Sequence, residues 1–158
     1  MRVRYAGKEY IFCDFLNTVH SGVVVAISGD GLFTATTSIT GQNGAVGVVA
    51  EQTTSSDTWG WVQIYGYCLA QEASNTSGIT SAYIPIVASS VSTPATLLSA
   101  LVNTTSTPQK TIYGMTITAD ASTATTGGVA GGSHTGSALP VFLNYPYTYA
   151  VATDIGFS

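Results

Sequence analysis

The apolar positions of this chain fall into short runs that alternate with polar residues and are cut off by Gly, Ser, Asn and Asp. That is the period of a pleated strand with one face buried. The first clear run is Tyr10 to Phe15. Gly22 to Ile27 (GVVVAI) follows and ends at Ser28-Gly-Asp-Gly31, where glycine tolerates the positive φ of a tight turn. Residues 32–37 then make a hairpin partner, and 46–51 (VGVVAE) another strand. The strongest run is 59–70, WGWVQIYGYCLA. Its odd positions Trp59, Trp61, Gln63, Tyr65 and Tyr67 share one face; Val62, Ile64 and Cys68 share the other, with Gly60 and Gly66 as bare positions. Further strands are expected at 79–88, 111–119 and 141–151. Residues 96–102 fit either a strand or a turn or two of helix, because Leu97, Leu98 and Leu101 also have helical spacing.

Val, Ile, Thr and Tyr dominate these runs, while capping boxes and charged pairs four residues apart are missing. The expectation is an all-β fold, a sandwich or small barrel of short antiparallel strands with long Ser/Thr/Gly/Ala-rich loops. One β domain spans 1–158. Residues 1–9 form a candidate N-terminal arm, and 120–137, a low-complexity stretch, a long surface loop.

Charge sharpens the picture. Only 8% of the residues are Asp, Glu, Lys or Arg, against about 25% in ordinary soluble domains. Hydroxyl and small side chains hydrate the surface instead, and such a surface has little charge to desolvate when it meets a partner. The composition favours a protein that assembles, as a homo-oligomer, over a free monomer. Net charge is −4, and three of the four cations, Arg2, Arg4 and Lys8, lie in the first eight residues. With Tyr5 they form the candidate partner-contact arm, an end that in isolation should fray and whose removal should leave the fold intact. No basic patch accompanies the aromatics, so nucleic-acid binding is not expected. No run is long enough for a membrane helix, and Lys8, Glu9 and Asp14 interrupt any signal-like apolar core. Cys13 and Cys68 are expected as buried free thiols, with a disulfide the alternative.

The search for chemistry returns little. His20 and His134 are far apart and lack nearby second ligands, so no metal or cofactor is expected. No Gly-X-Ser-X-Gly elbow is present, and the glycine-rich stretches 41–44 and 127–132 lack the Lys-Ser/Thr of a phosphate loop. Acids such as Asp30, Asp57 and Asp120 sit at turns and strand ends. No catalytic residue is expected, and the chain reads as a non-enzyme. The aromatic row at 59–67 has two readings. Burial as a core is the commoner fate of large aromatics. Alternatively Trp59, Trp61 and Tyr65 form a face that stacks on sugar rings.

The segment Asp57-Thr-Trp-Gly-Trp-Val-Gln-Ile-Tyr-Gly66 resembles a pattern in small virion proteins of tailed bacteriophages, where a polar loop leads into a Gly-Trp-Val-Gln-aromatic-Gly strand. The resemblance extends over about 45–150: a Gly-Val-Val-Ala strand at 47–50 before it, then Ile-Tyr-Gly-Met at 112–115, a small-residue stretch, and Asn-Tyr-Pro at 144–146. It does not reach the first 40 residues. It implies a capsid decoration (cement) protein, made in the host cytoplasm and carried on the virion capsid surface. Such a protein bridges or stabilises subunits of the major capsid protein, commonly as a trimer or dimer. The alternative is a phage tail or fibre module that binds host-surface glycans through the aromatic face.

Overall fold

The computed structural model describes residues 1–16, 18–28, 33–36, 44–51, 53, 58–71, 86–89, 96–99, 109–118 and 138–148. The expected loop 120–137, the first part of the strand expected at 79–88, and the end of that expected at 141–151 lie outside them. Ten strands are described: β1 (Arg2–Tyr5), β2 (Lys8–Phe15), β3 (Val24–Ser28), β4 (Thr34–Thr36), β5 (Gly44–Val49), β6 (Trp59–Gln71), β7 (Ile86–Ser89), β8 (Thr96–Ser99), β9 (Gln109–Ile117) and β10 (Ala138–Thr148). The fold is all-β, and the described part of the ambiguous 96–102 segment is a strand.

Hydrogen bonding closes part of the sheet on itself. β2 pairs β4, β4 pairs β3, β3 pairs β5, β5 pairs β6, and β6 returns to β2. This ring makes a small five-stranded barrel. Every pairing is antiparallel except β2 with β4, which is parallel, so the expectation of antiparallel strands throughout is corrected at that one contact. The cause is connectivity: β3 and β4 pair antiparallel, as the sequence predicts, while Gly-Asp-Gly between them lies outside the described residues, and β4 lands beside β2 running the same way. From the long β6 the sheet continues outward through β10, β9, β7 and β8.

Two apolar cores result. Ile11, Cys13, Phe15, Val23, Val25, Ile27, Val62 and Ile64 belong to one cluster. Val24, Ala26, Val46, Val48, Ala70, Ile117, Val141 and Leu143 belong to the other, with Cys68 packed against it. β3 and β5 stand between them, so both their faces are covered, and this is why their sequences are unbroken apolar runs rather than alternating ones. Each fully buried Val, Leu or Ile contributes roughly 1.5–3 kcal/mol relative to exposure. β6 serves both cores with one face: Val62 and Ile64 near its start, Cys68 and Ala70 near its end. Between these lies Gly66, with φ +92 and an α-carbon so close to Gly7 that a Cβ would meet the Gly7 carbonyl oxygen at 2.8 Å. Only glycine fits there.

The opposite face of β6 is not a core. Trp59, Tyr67 and Leu69 are 42%, 62% and 47% exposed. The expectation that the aromatic row is buried is therefore corrected at Trp59 and Tyr67, while Trp61 and Tyr65 are half-buried and Gln63 is buried. The aliphatic face of β6 already fills both cores, so strand alternation leaves the aromatic face to look outward.

Candidate partner-binding surface

Three aromatic groups stand on the outer side of the barrel and its extension. Phe12 of β2 stacks on Trp59 (ring centroids 5.7 Å, planes 17° apart) and packs against Trp61 at 4.9 Å. Phe12 lies directly across from Trp61 in the β2–β6 register, which is what brings the rings together. Farther along β6, Phe142 of β10 meets Tyr65 and Tyr67 edge-on at 5.6 and 4.8 Å, and Tyr65 stacks on Tyr145 at 5.2 Å. Tyr113 and Tyr147 form a third stacked pair, 5.5 Å apart. Between the first two groups is Gln63, 3% exposed, whose amide donates to the carbonyls of Tyr65 and Tyr67, both at 3.0 Å. Trp59 and Trp61 thus share one platform, built on Phe12, while Tyr65 belongs to another.

The N-terminal residues form a hairpin rather than a free end. Ala6 and Gly7 both have positive φ, 49° and 77°, and turn β1 back onto β2. Arg2 and Arg4 each donate through Nε to the carboxylate of Glu9, Arg4 at 2.7 Å. Glu9 is 2% exposed, and it also accepts a hydrogen bond from the Tyr145 hydroxyl at 3.1 Å. Arg4 donates to the same hydroxyl oxygen at 3.3 Å. Tyr5 is exposed and Lys8 half-buried. The structure brings Arg2 and Arg4 together on one anion and leaves Tyr5 and Lys8 at the hairpin turn. Sequence reasoning missed Glu9, Phe12, Phe142 and Tyr145. Glu9 carried a signal, since it alternates in step with Ile11 and Cys13, buried positions of β2.

Other groups with chemical character are buried or half-buried. Cys13 and Cys68 are unpaired thiols, one in or against each core. Burial pushes both up to about 12, because the low-polarity surroundings disfavour thiolate. Tyr10 is also raised, first by burial and then by the nearby Cys68. Asp14 accepts a hydrogen bond from the Thr58 hydroxyl at 3.0 Å, tying β2 to the start of β6. Among the described residues no group of three or more His, Cys, Asp or Glu side chains is placed to hold a metal ion. His134 lies outside them. Among the described residues no helix is long and apolar enough to cross a membrane.

No protein-family model and no curated protein matches the chain.

Proposed function

We propose that this protein is a non-enzymatic structural protein of a virion, a capsid decoration protein that docks by its outer aromatic face on the major capsid protein. The observation that carries the reading is the exposure of Trp59, Tyr67 and Leu69 along one face of β6. Aromatic side chains supply large contact area at little entropic cost and dominate the energetics of protein interfaces. The chain as a whole is poor in charge, as interface cores are. The segment that resembles phage virion proteins, 57–66, overlaps β6 and so includes part of this face. Assembly of the protein with itself, as a dimer or trimer, belongs to the same reading and rests on the low charge.

Heads assembled without the protein and then mixed with purified protein provide the test. Saturable binding, weakened by Trp59→Ser or Tyr67→Ser, supports the reading. Absence of binding, with electron microscopy of the source particle placing the protein on the tail, sinks it. The second reading, a glycan-binding tail or fibre module, is favoured by the Trp59–Phe12 platform, because stacked, partly exposed rings are what a sugar face packs on. Binding of the purified protein to host-surface glycans, lost in Trp59→Ser while heads go unbound, selects it.

A further inference from the structure

A separate feature lies at one end of the barrel, where β10 bends. Tyr145 has φ +48 and precedes Pro146. A side-chain-bearing residue rarely occupies the left-handed region, and a following proline pushes it toward extended backbone instead. Such a conformation persists only when its surroundings over-determine it, and it concentrates at binding sites. Here the tyrosine is held on every side. Its ring stacks on Tyr65, its hydroxyl donates to Glu9, and the Arg2 guanidinium lies 5.3 Å from its ring centroid. Gly114, opposite the bend, leaves room that a Cβ would close, 2.6 Å from the Asn144 carbonyl oxygen.

Beside Tyr145 and Arg2 opens a cavity of about 570 Å3 whose wall includes Ile11, Val46, Ile64 and Pro146. That volume is in the range of small-molecule sites, and barrel mouths are a usual place for them. Of the charged side chains only Arg2 lines it; behind the rim Arg2 and Arg4 share the single Glu9 carboxylate, leaving those three groups at net +1 in a chain of net charge −4. Arg2 uses only Nε for Glu9, and among the described residues its two terminal amino groups make no hydrogen bond. They are the half of a guanidinium that takes a carboxylate in a forked pair.

We infer that this cavity binds a small monocarboxylate with an apolar body, an alkyl or aryl acid. The carboxylate pairs with the terminal amino groups of Arg2, and the apolar body lies over Ala45 and the rings of Tyr145 and Tyr147, the exposed part of the lining, above the buried Ile11, Val46, Ile64 and Pro146. The ligand neutralises the excess cation and covers ring surface that is otherwise exposed. The site does not depend on the capsid reading, since Arg2, Ile11 and Val46 lie apart from the Trp59 platform.

Isothermal calorimetry of the full chain with decanoate, below its micelle concentration, tests this, with decanol and acetate as the uncharged and body-less controls. Saturable binding of decanoate is expected, with decanol and acetate each at least about tenfold weaker, because each lacks one of the two contacts. Arg2→Gln should remove the charge preference. Ala45→Trp, at an exposed position of the cavity wall, should block binding without touching Glu9. Trp59→Ser should leave decanoate binding unchanged even where it abolishes capsid binding. No saturable binding of decanoate, equal binding of decanol, or unaltered binding by Ala45→Trp with an intact circular dichroism spectrum overturns the inference.

Discussion

The Tyr145 hydroxyl donates to the Glu9 carboxylate at 3.1 Å across 136 positions of sequence. This bond ties the last described strand to the hairpin at the start of the chain. Glu9 is the acceptor for three donors, and two of them come from the exposed strand β1.

That arrangement makes the arginines matter more than their exposure suggests. Removing both, in Arg2→Ala/Arg4→Ala, strands a buried carboxylate, at a cost of roughly 2–4 kcal/mol. Glu9→Gln removes the need for them and frees two arginines that water already reaches, at a cost of roughly 1 kcal/mol. Urea unfolding of the two variants should therefore rank the double arginine variant as the less stable; the reverse order would show that Glu9 rehydrates freely. For the same reason, deleting residues 1–8 is expected to lower stability, in contrast to the free-arm expectation from sequence.

Two glycines separate backbone strain from steric clash. Gly7 and Gly66 both have positive φ, but a Cβ on Gly7 meets nothing within 4 Å, whereas one on Gly66 meets the Gly7 carbonyl oxygen at 2.8 Å. Gly7→Ala should cost roughly 1–2 kcal/mol, the penalty of a left-handed alanine. Gly66→Ala carries that penalty and also forces the hairpin turn off β6, so its melting temperature should fall markedly further. Equal losses would mean that the turn moves away without cost.

The buried thiols set an alkaline limit on stability. Both are pushed up to about 12 in the folded protein, from an ordinary value of about 9. The contribution is whole below pH 9, where folded and unfolded chains are both protonated. Between pH 9 and about 12 the unfolded chain releases protons that the folded one retains, so stability falls as pH rises. The loss between about pH 8 and about pH 10.5, either side of the ordinary thiol value, should be smaller in Cys13→Ala/Cys68→Ala than in the native chain, each compared with its own stability at the lower pH. At neutral pH, thiol reagents should label the fully buried Cys13 only on unfolding.

Substitutions on the outer face should separate binding from folding. Trp59 and Tyr67 are largely outside the cores, so Trp59→Ser and Tyr67→Ser should each change stability by under about 1 kcal/mol. At the centre of an interface the same changes should weaken partner binding by about 2 kcal/mol, near thirtyfold. Binding to heads measured alongside thermal melting checks both. A large loss of stability with unchanged binding would return these rings to a purely structural role.

Strand positions were legible in the amino-acid sequence because they are local properties. Alternation over five or six residues, and a Gly-Asp-Gly between two apolar runs, act through neighbours in the chain, and β2 to β6 lie close to where that pattern puts them. β1 was harder: four exposed residues carry no burial signal, and its place depends on Glu9 and on Tyr145 far away. The two faces of β6 were also legible, but not which one faces in. Alternation divides a strand into two sides and is symmetric between them. The choice came from tertiary structure. Closing β2, β4, β3, β5 and β6 into a ring gave Val62 and Ile64 a core to enter, and β10 with β9 gave Cys68 and Ala70 a second. Once those apolar side chains were satisfied from both ends of one face, the indoles and phenols on the other had only the outside of the sheet to occupy.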